Sequence, residues 1–366
     1  MAIELDSTSA LALESKVSEL GIEGKAPGMK TSAALARPVP KRLRRAPELL
    51  RQRRIERPLI KCPQIRGNSI TLPPGCLDPL QRLAFALTQG RRSRFGGDTI
   101  GVMLSAGTIR VAGLEVAYHR AGKGPPLVLV HSAASDAREW RAQVAGLSDD
   151  FTVIAWDEPG AGRSSDVPAD FGLAGYATAL AALVEAVDAP AHVCGLSWGG
   201  TVVLELYRRR PELVASLILA DTYAGWKGSL SKDEVRAHVA GAERMLMEPA
   251  HASDPTLPGL FAADPPADVI ELLNAIAADV RSESLRVALA AMAEADLTDV
   301  LPTIAVPTLL LWGELDARSP LSVAHAFASA IPHAQLTVIP GAGHMSNMER
   351  PAEFNTVIRA FCRPLG

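Results

Sequence analysis

The sequence predicts an α/β protein: a mostly parallel, doubly wound sheet with an inserted helical cap and a poorly ordered N-terminal extension. Three observations carry this. From Gly107 onward, short continuous apolar runs such as "PPLVLV", "FTVIAW" and "VASLILA" recur, as expected of strands buried on both faces. Stretches with helical spacing separate them. Short loops join the two kinds of segment, and such alternation implies a parallel sheet covered by helices on both sides.

Each element has its own signature. "TIRVAGLEVAYHR" reads as two short strands around Ala112-Gly113, "PPLVLVHS" as a buried strand and "SDAREWRAQVAGL" as a helix. "FTVIAWD" is a strand, and the loop "EPGAGRSSDVP" leads to the helix "AGYATALAALVEAVD". "AHVCGLS" is a strand, "GGTVVLELYRRR" a helix ended by Pro211, and "VASLILAD" a strand. "PTLLLWGELD" and "AQLTVIPGAG" are strands, each followed by a helix, in "PLSVAHAFASAI" and "PAEFNTVIRAFC". Between Thr222 and about Asp299 no strand-like run occurs, whereas "DEVRAHVAGAERMLM" and "ADVIELLNAIAADV" are helical in pattern. This segment, about 222–299, is expected to be the cap, set on the C-terminal edge of the sheet.

Residues 1–104 are of a different material. Residues 1–102 carry 18 Lys and Arg against 9 Asp and Glu, and the remainder 19 against 31. "RPVPKRLRRAPELLRQRRIERP" mixes prolines with arginines and has no sustained period, with short helices possible only around Leu11–Leu20 and Asp78–Leu87. A disordered basic arm is the first expectation. Upstream sequence attached to a natural start at Met103 is the second, and a tail for RNA or a membrane surface the third. The acidic body, 105–366, is no nucleic-acid binder by charge. No apolar run is long enough for a membrane span, and the acids of the first residues leave no room for a secretory signal. Cys62, Cys76, Cys194 and Cys362 are scattered, which argues against a metal site or disulfide framework and for a reducing cytoplasm. The oligomeric state is not legible.

"GLSWG", Gly195 to Gly199, is a G-x-S-x-G pattern between a buried strand and a helix. A turn that tight needs residues without Cβ atoms, and it lifts Ser197 Oγ while the first amides of the helix point outward. Acyl transfer needs both a lifted nucleophile and amides aimed at a developing oxyanion. A serine also needs a base, and the base an orienting acid. Both should lie at the C-terminal ends of later strands. Asp316 ends "TLLLWGELD" and His344 follows "LTVIPGAG". Asp221, at the end of "LILAD", is a second candidate acid. Glu314 falls on the opposite face by strand alternation and reads as structural.

Together, "HSAASDAREW", "DEPGAGRSS", "GLSWGG", "WGELDARSP" and "GAGHMSNMERP" resemble the α/β-hydrolase superfamily, from about Gly107 to Phe361. The resemblance is to serine esterases and lactonases with a helical cap. It implies Ser197 as nucleophile, His344 as base, Asp316 as acid, and an oxyanion hole formed by the backbone N–H groups of Trp198 and Ala133. One departure stands out: many members have His-Gly where this chain has His131-Ser132. Ser132 would then have to adopt a backbone conformation usually taken by glycine.

A serine at the elbow excludes the Asp-dependent dehalogenases and epoxide hydrolases of the family. Hydrolysis of a small, largely apolar carboxylic ester or lactone is the leading expectation, with no metal or organic cofactor. Alternatives are a prolyl-aminopeptidase-like hydrolase, a thioesterase, or a ligand receptor without turnover. Trp226, Met245 and Phe261, with Met247, Leu257 and Leu260, are candidates for an apolar substrate pocket; packing the cap onto the sheet is an equal reading of each.

Overall fold

The computed structural model describes residues 104–247 and 259–363, and in the front segment three short strands, Ile3–Glu4, Gln64–Arg66 and Ser69–Thr71, paired antiparallel. The expected arm and its helices at Leu11–Leu20 and Asp78–Leu87 otherwise lie outside the described residues, as does Leu257. The chain divides into two compact units, Met1–Gly96 and Gly97–Gly366. The second unit holds every candidate site residue.

Eight strands form one sheet in this unit: β1 (Ser105–Val111), β2 (Leu114–Ala121), β3 (Pro126–Val130), β4 (Thr152–Trp156), β5 (Ala191–Leu196), β6 (Val214–Ala220), β7 (Thr308–Gly313) and β8 (Gln335–Ile339). Their spatial order is β8-β7-β6-β5-β3-β4-β2-β1. β3 to β8 pair in parallel, while β2 runs antiparallel to both β1 and β4. The chain leaves β3 toward β4 and returns to its other side as β5, so the order reverses there. Ligands bind at such a reversal, outside the carboxyl ends of the strands.

The continuous apolar runs arise because both faces are covered. In β3, Val128 and Val130 face one buried cluster and Leu127 and Leu129 the other. Helices α2 (Gly172–Ala186), α3 (Trp198–Arg209) and α8 (Leu321–Ala330) supply the first cluster, through Tyr176, Val202 and Phe327 among others. Helices α1 (Arg141–Leu147) and α9 (Pro351–Cys362) supply the second, through Val144, Leu147, Phe354 and Ile358.

Between β6 and β7 the chain is helical wherever regular structure is described: α4 (Trp226–Ser229), α5 (Lys232–Met247), α6 (Ala267–Ala277) and α7 (Ser282–Glu294). Helix α6 stops short of the run its sequence suggests. Asp279 leaves the helix to pair with Arg138 of the core at 2.8 Å, and the chain turns into α7. Among the described residues, no helix is long and apolar enough to cross a membrane.

Candidate active site

The G-x-S-x-G stretch is a strand-to-helix elbow. Ser197 lies between β5 and α3 at φ 53°, ψ −120°, a left-handed backbone that a side chain rarely adopts. Tertiary contacts hold it there. Its N–H donates to Ala220 O at 3.0 Å, and Thr222 Oγ1 donates to its carbonyl at 2.5 Å. The flanking glycines are sterically required. A Cβ on Gly195 would stand 2.5 Å from the Gly199 carbonyl oxygen, and one on Gly199 would stand 2.2 Å from Val130 O.

Three side chains from three strand ends meet. Ser197 Oγ lies 2.9 Å from His344 Nε2, and His344 Nδ1 lies 2.9 Å from Asp316 Oδ2. All three residues are buried. The other oxygen of Asp316, Oδ1, accepts from the N–H groups of Arg318 and Ser319, each at 2.8 Å. Asp316 is therefore held as an acceptor, and the hydrogen at His344 Nδ1 is directed to it, leaving Nε2 for the serine hydroxyl. The loop carrying His344 is tied down by Glu349, whose carboxylate accepts from Gly343 N at 2.7 Å and Ala262 N at 3.0 Å.

Asp221 does not reach the histidine. It accepts from Gly313 N at 2.7 Å and from Ser346 Oγ at 2.5 Å, tying the end of β7 to the segment after His344. Burial, then the charge of Asp316, pushes its carboxyl well above the usual range. Glu314 Oε2 accepts from Gly341 N at 2.9 Å and holds the β8 turn.

The amides of Trp198 and Ala133 belong to the first turn of α3 and the loop after β3. The left-handed residue in that loop is not Ser132. It is Ala134, at φ 57°, so the expectation that Ser132 must mimic a glycine is corrected. Ser132 uses its side chain instead: Oγ donates to Glu139 Oε2 at 2.5 Å, deep in the protein. His131 packs beneath. Its Nδ1 lies 2.8 Å from Ser132 O and its Nε2 accepts from Glu158 N at 3.1 Å, which is the neutral, Nδ1-protonated form. Burial lowers its pKa, while the carboxylates of Glu158 and Glu139 more than offset that and raise it. The geometry decides for the neutral ring, because a proton on Nε2 would face the Glu158 N–H.

Glu158 is the residue that sequence reasoning passed over. It follows Asp157 at the end of β4 and is buried, and its Oε2 accepts from the Trp198 indole N–H at 2.7 Å. Burial pushes its carboxyl up to about 7, and the indole bond pulls the other way. Asp157 itself is a loop anchor, accepting from Ala137 N and from the backbone N and Nε of Arg163.

The apolar candidates are dispersed. Trp226 is buried in α4, with its ring centroid 5.1 Å from that of His238, packing the cap. Leu260 and Phe261 run beside the His344 loop, where Leu260 O accepts from Met345 N at 3.1 Å. Met247 is exposed. Met245 lies on α5, and its side chain is outside the described residues.

The profile of the Alpha/beta hydrolase family matches residues 127–357, a span that runs from β3 past His344. The chain belongs to the α/β-hydrolase family. Its curated relatives include the dihydrolipoyllysine-residue acetyltransferase component of the acetoin cleaving system of Pseudomonas putida, 32% identical over 66% of this chain and 64% of that one. This chain therefore spans less than two thirds of that relative's length. They also include 3-oxoadipate enol-lactonase 2 of Acinetobacter baylyi, 28% identical over 64% of this chain and 88% of that one. Among solved structures, a thermophilic esterase from Thermogutta terrifontis is 32% identical with a TM-score of 0.64, covering 72% of this chain and 99% of that one.

Proposed function

We propose that this α/β hydrolase cleaves small, largely apolar carboxylic esters or lactones through an acyl-enzyme on Ser197. The observation that carries the reading is the linear chain Ser197 Oγ, His344 imidazole, Asp316 carboxylate, with both contacts at 2.9 Å and the serine on a strained elbow. Family membership, and the esterase and enol-lactonase names of its relatives, support the substrate class.

The contacts support a route for each proton. Ser197 Oγ attacks the ester carbonyl as its proton passes to His344 Nε2. The imidazolium so formed is stabilised by Asp316, which is already committed as an acceptor. The tetrahedral oxyanion is placed against the N–H groups of Trp198 and Ala133. His344 then delivers the proton to the leaving alkoxide oxygen. Water, deprotonated by the same nitrogen, attacks the acyl carbonyl, and the carboxylic acid leaves as Ser197 recovers its proton. In a lactone the leaving alkoxide stays tethered to the acyl group. No step requires a metal or an organic cofactor.

Because nucleophile and base act as a unit, Ser197→Ala and His344→Ala should each lower kcat on a short-chain chromogenic ester by about 10⁴-fold or more, with the double variant little worse. Asp316→Asn should cost far more than Asp221→Asn, since only Asp316 touches His344. Near-normal turnover by a folded Ser197→Ala protein would overturn the assignment. A single acylation without turnover in the parent protein would instead make it a receptor.

A further inference from the structure

A narrow cleft lies between the loops after β3 and β4 and the cap, walled by Ala134, Ser135, Glu158, Pro159, Arg281 and Ser284. It begins one residue from each proposed oxyanion donor: Ala134 follows Ala133, and Glu158 is bonded to the side chain of Trp198. The space within it is about 20 Å³, enough for a single water-sized group.

The charged groups around it are mostly committed. Arg281 donates to Gly160 O at 3.1 Å and Ser164 O at 2.9 Å, and pairs with Asp166 at 2.8 Å. Asp136 accepts from the backbone N and side chain of Arg138. Glu158 is half committed. Oε2 holds the Trp198 indole, whereas Oε1 has no hydrogen-bond donor among the described residues, although the residue is only 5% exposed. Glu158 lines the one-group space, so an acceptor without a protein donor is available to a group bound there.

We propose that Glu158 determines specificity: its free oxygen accepts a hydrogen bond from a hydroxyl or ammonium group on the substrate, close to the scissile carbonyl. Esters bearing such a donor are thereby selected over plain alkyl esters. The inference rests on the esterase reading and narrows its substrate class. The donor takes the place of the one water the cleft can hold. An analogue without the donor leaves that acceptor without its partner, and the discrimination arises there.

The test compares methyl butyrate, methyl 3-hydroxybutyrate and methyl 3-aminobutyrate by titration of released acid at pH 8, in the full chain. The parent protein should favour one or both donor-bearing esters in kcat/KM by about tenfold to a hundredfold, the worth of a hydrogen bond to a charged group. Preference for the amine alone identifies an ammonium site, and preference for both a general donor site. Glu158→Gln keeps an acceptor for the Trp198 indole and should collapse the ratio of donor to plain ester, whatever its level on methyl butyrate. Turnover with no donor preference in the parent protein overturns this inference alone and needs no variant. An unchanged ratio in Glu158→Gln does the same and leaves Glu158 as a support for Trp198. Failure to hydrolyse any ester removes the esterase reading, and this inference with it.

Discussion

Left-handed backbone in the loop after β3 falls on Ala134, at φ 57°, one residue past the proposed oxyanion donor. Ser132 is anchored by its hydroxyl on the buried carboxylate of Glu139. The two positions should therefore respond oppositely to glycine. Ser132→Gly loses a hydrogen bond to a buried acid and frees the unfolded chain, and should destabilise by about 2 to 4 kcal/mol. Ala134→Gly relieves left-handed strain and should leave stability unchanged or raise it by up to about 1 kcal/mol. Urea unfolding reads both, and the reverse ranking would move the strained residue to 132. Glu158 makes a pH-dependent contribution. Its carboxyl is raised from 4.5 to about 7, so between those values the folded chain holds a proton that the unfolded chain has released. Stability is then highest at the acid end of the window and falls as pH rises toward 7. The size is of order 3 kcal/mol. His131 and Glu139 face the same group, so the clean readout is a difference between two proteins. Glu158→Gln should gain stability relative to the parent between about pH 5 and about pH 8. A difference that does not vary with pH would mean that Glu158 ionises normally.

At the scale of elements, the elbow depends on how closely α3 approaches β3. Gly199 has no room for a methyl group, since its Cβ would meet the backbone oxygens of Val130 and His131 at 2.2 and 2.7 Å. Neither oxygen is the end of a flexible side chain, so Gly199→Ala must displace the helix or the strand. The expected result is a loss of about 3 kcal/mol or more in stability, with a fall in kcat for whatever fraction folds. A stable, fully active Gly199→Ala protein would show that the elbow tolerates a wider approach. The same elements show what the sequence makes legible. β3, β4, β5 and β6 are readable because strands buried on both faces leave uninterrupted apolar runs. The elbow is readable because a tight strand-to-helix turn leaves glycines at fixed offsets around Ser197. Glu158 is not, because its partners, Trp198 and His131, come from two other strand ends and leave no spacing in the chain. The position of positive φ is also hidden, since alanine at 134 carries no mark of it. Trp226 suits a pocket or packing equally well in sequence, and its burial against His238 is a tertiary fact.

Across the hydrolase unit, the cap is tied to the loops it covers by polar contacts at one side. Arg138 pairs with Asp279 at 2.8 Å, and Arg281 with Asp166 at 2.8 Å. Glu349 bridges the cap residue Ala262 and the His344 loop. The cap, the loop after β3 and the loops carrying Asp316 and His344 thus meet at the carboxyl ends of the strands, around a serine that is itself buried. The proposed mechanism requires that serine to form the covalent bond, and chemical labelling tests this most directly. The full chain is treated with diisopropyl fluorophosphate, then weighed intact and mapped by peptide mass. One adduct per chain is expected, on the peptide carrying Ser197, in step with loss of esterase activity, absent from Ser197→Ala and strongly slowed in His344→Ala. Inactivation with the label on another residue, or ester turnover that persists with Ser197 fully labelled, would contradict it.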